Sequence, residues 1–348
     1  MFNHIHPIEG DYLETKDNGF IFDVKGLRHP KDKIICFLRF IPQEDGARKR
    51  KGRKYKKIYD LEQRYSFLRE KYPNYLFYSS NYDLELQGVK KNEIKKIFTP
   101  SKCLQKLKNK SNPSEDEQRS VDLCNLLIND GNLTESEIGI TGSQMVDLNK
   151  KDSDIDLVIY GTETSKRFQD ALPRIFELPN ECRKYTFEEY KAHYKFRAGG
   201  SGISFNDFYR SERNKLHQGM FRGKEFFIRY IKSPKDWKGS YYDYQFKTCG
   251  RIRLKAQVFD ASDALFTPCT YNIKPTTILD ESDSQSDIKL EKITKISSYR
   301  GRFCEHAEQG DFVMVEGKLE QVNYKNEPPY YRVLLGNQKT DKMIIISI

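Results

Sequence analysis

The chain has 348 residues, of which 37% are hydrophobic and 32% charged, with a formal net charge of +10. That length allows two or three cores, and the composition is that of a soluble globular protein with a heavily charged surface. No apolar run approaches the ~18–20 residues of a membrane span, so no membrane partner is expected, and the positive balance points to an anionic one.

The opening residues, MFNHIHPIEGDY, do not read as a secretory signal. Seven scattered cysteines (Cys36, Cys103, Cys124, Cys182, Cys249, Cys269 and Cys304) form no CxxC pair. This predicts reduced thiols and a cytoplasmic protein, with neither a zinc site nor a disulfide framework.

In chain order, FIFDVKGL and KIICFLRFIP within residues 19–42 predict two strands, being rich in Ile, Phe and Val and bounded by turn residues. RKRKGRKYKK (48–57) carries eight Arg or Lys in ten positions. It reads as a basic loop, and Arg48, Lys49, Arg50, Lys51, Arg53 and Lys54 are candidates for tracking an RNA or DNA backbone. Leu61, Tyr65, Leu68 and Tyr72 then have helical spacing.

A boundary is expected near KNKSNPSEDEQ (108–118), where apolar residues vanish. A helix follows through Val121, Leu123, Cys124 and Leu127, with Glu115, Asp116 and Glu117 favouring its dipole and Gly131 as its stop.

The densest chemistry lies in GITGSQMVDLNKKDSDIDLVIYG (139–161). It predicts strand, turn, brief helix and strand, with Gly142 in the turn and Ser143 capping the helix. In the second strand, Asp154 and Asp156 share one face while Ile155, Leu157 and Ile159 take the other. Two acids side by side at the mouth of an apolar strand repel each other and lose hydration, and a divalent cation removes both penalties.

Gly142-Ser143, ten residues, then Asp154-Ile155-Asp156 and LVIYG resemble the signature of the DNA polymerase β-like nucleotidyltransferase superfamily. The wider chain, with KGLRHP, CFLRFIP, IFTP, DALFTPCTY and SYRGRF, also resembles a family of archaeal predicted nucleotidyltransferases. The resemblance implies Mg²⁺ (or Mn²⁺) on Asp154 and Asp156, and a nucleoside triphosphate seated by Gly142 and Ser143. It also implies a third carboxylate on an adjacent strand. Glu225, in KEFFIRYIKSPKDW, is the candidate and Asp207 the runner-up, although Phe227 stands near the usual position. Arg213 and Lys215, in the basic segment beyond the Gly-rich stretch at 199–202, are candidates for phosphate contact, and His217 for proton transfer.

From about residue 249 the pattern alternates: Ile252, Leu254, Ala256 and Val258 inward, basic side chains outward. Further strands at 311–322, 330–336 and 343–348 predict a small OB-like β-barrel. Tyr299, Tyr330 and Tyr331 beside Arg300, Arg302 and Arg332 could stack a single strand on it.

The expected architecture is α+β. An N-terminal mixed α/β domain (1–110) precedes the polymerase β-like nucleotidyltransferase core (111–240) and a C-terminal barrel (241–348). The expected activity is NMP transfer to an RNA or DNA 3′ end. The alternatives are an inert nucleic-acid-binding protein of the same fold, or transfer to a protein or small-molecule acceptor. Oligomeric state is not indicated.

Overall fold

A computed structural model of the chain describes residues 6–179, 181–198, 200–280 and 289–347. Gly199 of the Gly-rich stretch lies outside the described residues. The chain divides into two compact units, one formed by residues 1–79, 84–183 and 218–241, the other by 80–83, 184–217 and 242–348.

The first unit is built on two sheets. Its eight-stranded sheet contains β1 (Tyr12–Thr15), β2 (Ile21–Val24), β3 (Lys33–Pro42), β4 (Arg48–Arg50), β5 (Arg53–Lys57), β6 (Leu76–Ser79), β7 (Leu84–Lys90) and β8 (Ile94–Phe98). The main path runs β4-β5-β3-β2-β1-β8, and β7 joins β3 and β6. Leu13, Phe22, Val24, Ile34, Cys36, Leu38, Ile41 and Ile58 form a core on one face, which Leu68 of α1 (Leu61–Lys71) helps to fill. Asp60 caps α1 by accepting from the Gln63 amide, which fixes the helix start.

The opposite face of that sheet has a different character, and one irregularity sets it. Phe22 pairs with Leu38 and Ile21 with Phe40, so Arg39 is an extra residue in β3, a β-bulge. Bulges re-aim side chains, and the core positions shift accordingly from the series Ile34, Cys36, Leu38 to Ile41. Arg39 falls on the polar side.

Pro100 opens α2 (Pro100–Lys108), and a Ser114/Glu117 capping box opens α3 (Glu115–Asp130), with Gly131 at its end. The five-stranded sheet then runs β11-β12-β13-β10-β9. Its members are β9 (Ile138–Ile140), β10 (Ile155–Tyr160), β11 (Cys182–Arg183), β12 (Gln218–Phe221) and β13 (Lys224–Ile231). The four-residue α4 (Gly142–Met145) links β9 to β10, and α5 (Thr162–Glu177) follows β10 and packs on β10 and β13. β10 and β13 are parallel, and β9 closes on β10 antiparallel.

The second unit holds α6 (Phe187–Arg197), α7 (Phe205–Glu212) and a six-stranded sheet. Its strands are β14 (Tyr244–Asp263), β15 (Cys269–Asp280), β16 (Ile293–Ser298), β17 (Phe312–Tyr324), β18 (Tyr330–Leu335) and β19 (Lys342–Ile346). They pair in the order β14-β15-β16-β18-β17-β19, and β14 also pairs with β17. Ile252, Leu254, Ala256 and Val258 are buried as their alternation predicts.

Among the described residues no helix is long and apolar enough to cross a membrane. All seven cysteines are buried and free.

Candidate active site

Asp154 is exposed just ahead of β10, and Asp156 is half-buried within it. The Thr141 amide donates to the Asp156 carbonyl at 2.9 Å and ties the turn before α4 to the strand. Gly142 then takes φ +69°, and a Cβ there would lie 2.0 Å from Asp156 Oδ2. The absent side chain is the space in which the carboxylate sits, so glycine is required both by conformation and by room.

Ser143 is buried but does not cap the helix, because Gly142 starts the turn one residue earlier. Thr141 takes the cap position, and its hydroxyl donates to the Gly10 carbonyl at 2.6 Å.

Burial, and then repulsion from Asp154, pushes the Asp156 carboxyl up to about 7, against the pull of Arg229, Lys57 and Arg39. Two oxygen-donor acids, one of them strained toward protonation by the other, form a donor set suited to a hard divalent cation that keeps waters on its remaining positions. A narrow cleft beside Asp154 is lined by Arg119, Gln144, Asn149, Lys150 and Lys224.

The neighbouring strand supplies no regular third acid. In the parallel register, Asp156 stands beside Phe227 and Val158 beside Arg229. Glu225 is exposed at the start of β13, one residue ahead of Phe226, as Asp154 is one ahead of Ile155. Among the described residues, no three His, Cys, Asp or Glu side chains gather as a metal site. Asp207 belongs to the second unit, where it caps the start of α7 with Ser204.

Sequence reading missed what the N-terminal sheet brings to this site. Tyr12, Asp23, Asp154 and Asp156 all act electrostatically on Arg39, and both strand acids act on Lys57. A network of buried charges adjoins them. Arg229 pairs with Glu9, which also meets Lys25 at 3.2 Å, and Lys25 reaches Asp23 at 2.8 Å. The available signal was one arginine inside the apolar run KIICFLRFIP.

The basic run is a hairpin of β4 and β5, turned at Lys51 and Gly52, which both have positive φ. Arg48 and Arg50 face inward. Arg48 donates to the Leu148 carbonyl and lies over the Phe40 ring, while Arg50 meets Glu14 at 2.9 Å. Period-two alternation explains the correction: half of a charged strand must point at the protein. Lys49, Lys51, Arg53 and Lys54 remain exposed.

Lys215 is likewise corrected. It is 1% exposed and commits its ammonium to Glu212 and the Arg302 carbonyl inside the second unit. Arg213 is exposed in that unit and lies over Tyr209. His217 is buried with its Nδ1 2.8 Å from Glu305. Of the cations expected to stack a strand, Arg332 is buried against Glu320 and Phe246, and Arg302 is buried too.

Residues 128–253 match the family described as a nucleotidyltransferase domain. Gly142, Ser143, Asp154 and Asp156 all fall inside that span, so residues 128–253 form a nucleotidyltransferase domain of the polymerase β-like superfamily, a transferase class. Enzymes of this kind typically use divalent metal ions. The chain is also similar to the uncharacterized protein MJ1086 of Methanocaldococcus jannaschii, at 28% identity over 337 residues, covering 94% of this chain and 95% of that one. No solved structure matches the chain.

Proposed function

We propose that this protein transfers NMP from a nucleoside triphosphate to an acceptor hydroxyl, most plainly the 3′ end of RNA or DNA. Asp154 and Asp156 would hold Mg²⁺ or Mn²⁺. The observation that carries this reading is the Asp156 carboxylate filling the space left by Gly142, at the mouth of a strand that Asp154 opens.

In the reaction, the acceptor oxygen bonds to the α-phosphorus, the bond to pyrophosphate breaks, and the hydroxyl proton leaves to solvent. The bound ion supplies Lewis-acid stabilisation of the phosphoryl oxygens. The protein's part is to hold two acids at one strand mouth and to bring the backbone of Gly142 and Ser143 close to the phosphates. Arg119, Gln144, Asn149, Lys150 and Lys224 line the surface beside Asp154 where the rest of the nucleotide would lie. Glu225 stays a candidate additional ligand by its place on β13.

Nucleic acid is favoured as acceptor by the exposed Lys49, Lys51, Arg53 and Lys54 of the hairpin. The second unit adds support. The cycle β14-β15-β16-β18-β17, returning to β14 with β16 and β18 parallel, is read here as a small OB-like barrel, a common single-strand binder. Seven free buried cysteines fit a cytoplasmic setting.

Incubation with labelled nucleoside triphosphates, Mg²⁺, and tRNA or oligonucleotides tests the proposal. Label on nucleic acid, lost in Asp154→Ala and Asp156→Ala, is the expected result. Label on the protein itself would move the acceptor to a protein hydroxyl. Phe227 beside Asp156 is the one feature favouring an inert nucleic-acid-binding protein. Binding without any labelling, unchanged in both variants, would establish that instead.

A further inference from the structure

The polar face of the N-terminal sheet carries three inward cations without a carboxylate partner, Arg39, Arg48 and Lys57, and of these Arg48 is already spent on the Leu148 carbonyl and the Tyr59 hydroxyl. The inward cations Arg50, Lys25 and Arg229 each have a carboxylate partner, in Glu14, Asp23 and Glu9 respectively. Arg39 and Lys57 have no ion pair among the described residues. The half-buried Arg39 keeps its buried Nε–H without a hydrogen-bond partner. Lys57 places its ammonium 4.6 Å from the centre of the Tyr59 ring. A buried N–H left unmade is costly and calls for an explanation; Arg50 Nε is unmade too, but its guanidinium already pairs with Glu14, whereas Arg39 has no carboxylate partner.

Both cations lie within electrostatic range of the Asp154–Asp156 pair. Burial pulls the Arg39 proton affinity down, yet Tyr12, Asp23, Asp156 and Asp154 more than reverse it. For Lys57, burial and then Arg39 pull the ammonium below its ordinary value, against the opposing pull of Tyr59, Asp156 and Asp154. Adjacent pairing holds the two side chains together: Phe40 is opposite Lys57 across β3 and β5, and the bulge puts Arg39 beside Phe40 on that face.

We propose that Arg39 and Lys57 bind the β- and γ-phosphates of the nucleoside triphosphate at the Asp154–Asp156 site, so that the N-terminal sheet forms one wall of the nucleotide pocket. The inference rests on the nucleotidyl-transfer reading and says which residues take the leaving pyrophosphate. The chemistry that selects the ligand is an anion of high charge density. Two acids with a divalent ion are close to neutral, and two further fixed cations then demand a polyanion rather than a neutral acceptor. The guanidinium offers a donor fork to phosphate oxygens, and the ammonium offers a point charge.

The full-length protein tests this by calorimetric titration with two probes in Mg²⁺, the non-hydrolysable ATP analogue with a methylene between its α- and β-phosphates, and AMP. Arg39→Gln and Lys57→Gln should each weaken the triphosphate analogue by about tenfold or more. Binding of AMP, which lacks the β- and γ-phosphates, should change by less than about threefold. A thermal melt of each variant checks folding, and Lys57→Gln, the more superficial change, serves should Arg39→Gln not fold. Unchanged triphosphate affinity in folded variants overturns the inference while leaving nucleotidyl transfer standing, as does equal weakening of both probes. A wild-type protein that binds neither probe overturns both.

Discussion

Replacing Gly142 with alanine isolates the feature on which the site turns. At φ +69°, a residue with a Cβ costs about 1–2 kcal/mol in backbone strain alone. Sterics then add a local demand. The new Cβ would stand 2.0 Å from Asp156 Oδ2, 2.8 Å from its Cγ and 2.9 Å from its Cβ. Swinging the carboxylate about its side-chain torsions relieves the first contact but not the last, so the turn and the strand must part by a few tenths of an ångström. The Thr141 amide bond to the Asp156 carbonyl, 2.9 Å long, resists that parting. The carboxylate therefore moves by about 1 Å, and a displacement of that order costs roughly 100-fold in turnover.

The strain converts to a melting-temperature loss of only about 2–8 °C in a unit of this size. The assay is label transfer from a triphosphate alongside a thermal melt. Gly161→Ala is the control. It too has a positive φ, +104°, but its Cβ would meet Thr164 Oγ1 at 3.0 Å, at the far end of β10 from the acids. It should lose comparable stability with little loss of turnover. A Gly142→Ala protein that turns over within about threefold of wild type would refute the reasoning, and so would a Gly161→Ala control that loses as much activity.

Three further outcomes are expected. Asp156, near 7 in the metal-free fold against 3.8 ordinarily, favours its protonated form, so its contribution to apoprotein stability falls as pH rises from about 4 through 7. Ion binding displaces that proton, so affinity for Mn²⁺ should weaken by about tenfold per pH unit below 7 and level off above it. Equal affinity at pH 5.5 and pH 8, by titration calorimetry, would count against this. Changing Lys49, Lys51 and Lys54 together to Gln should reduce the salt slope of single-strand RNA binding by about 2 with no shift in melting, whereas Arg50→Gln should lower the melting temperature by breaking its pair with Glu14. A slope that does not change would remove the hairpin from the nucleic-acid contact. In the second unit, Asp341 is 2% exposed and accepts from the Gly336 and Asn337 amides at 2.7 Å each and from Arg251 at 2.9 Å. Asp341→Ala should cost about 2–4 kcal/mol in chemical denaturation, and a loss under about 0.5 kcal/mol would show that the loop satisfies itself otherwise.

What the sequence made legible is what chemistry forces into local spacing. The acid pair, the glycine before it and the apolar tail of β10 all lie within residues 139–161, and each demands a residue type that few other contexts tolerate. Alternation in the C-terminal strands was equally plain, because one buried face of a sheet writes a period of two. Local composition was a poorer guide where one set of residues serves two ends. The Ser, Asn and Pro near 108–118 read as a linker, yet Ser114 is the cap of α3, and both sides of the stretch belong to one compact unit. Likewise, positive charge in 48–57 hid the alternation that buries Arg48 and Arg50.

The part of the site that stayed hidden was long-range. Arg39 lies more than a hundred residues before the acids it faces, and its orientation depends on a bulge, a mismatch between β2 and β3 that neither strand's own pattern records. Its importance is defined by subtraction. Arg50, Lys25 and Arg229 are as basic and as inward as Arg39, and only the pairing of each with Glu14, Asp23 and Glu9 takes them out of contention. No count of charges along the chain can perform that cancellation, since every partner but one is at least a dozen residues away. A cation left without a carboxylate partner, within electrostatic range of two strand acids, is therefore a property of the fold. The proposed nucleotide site rests on the motif on one side and on an unbalanced charge on the other.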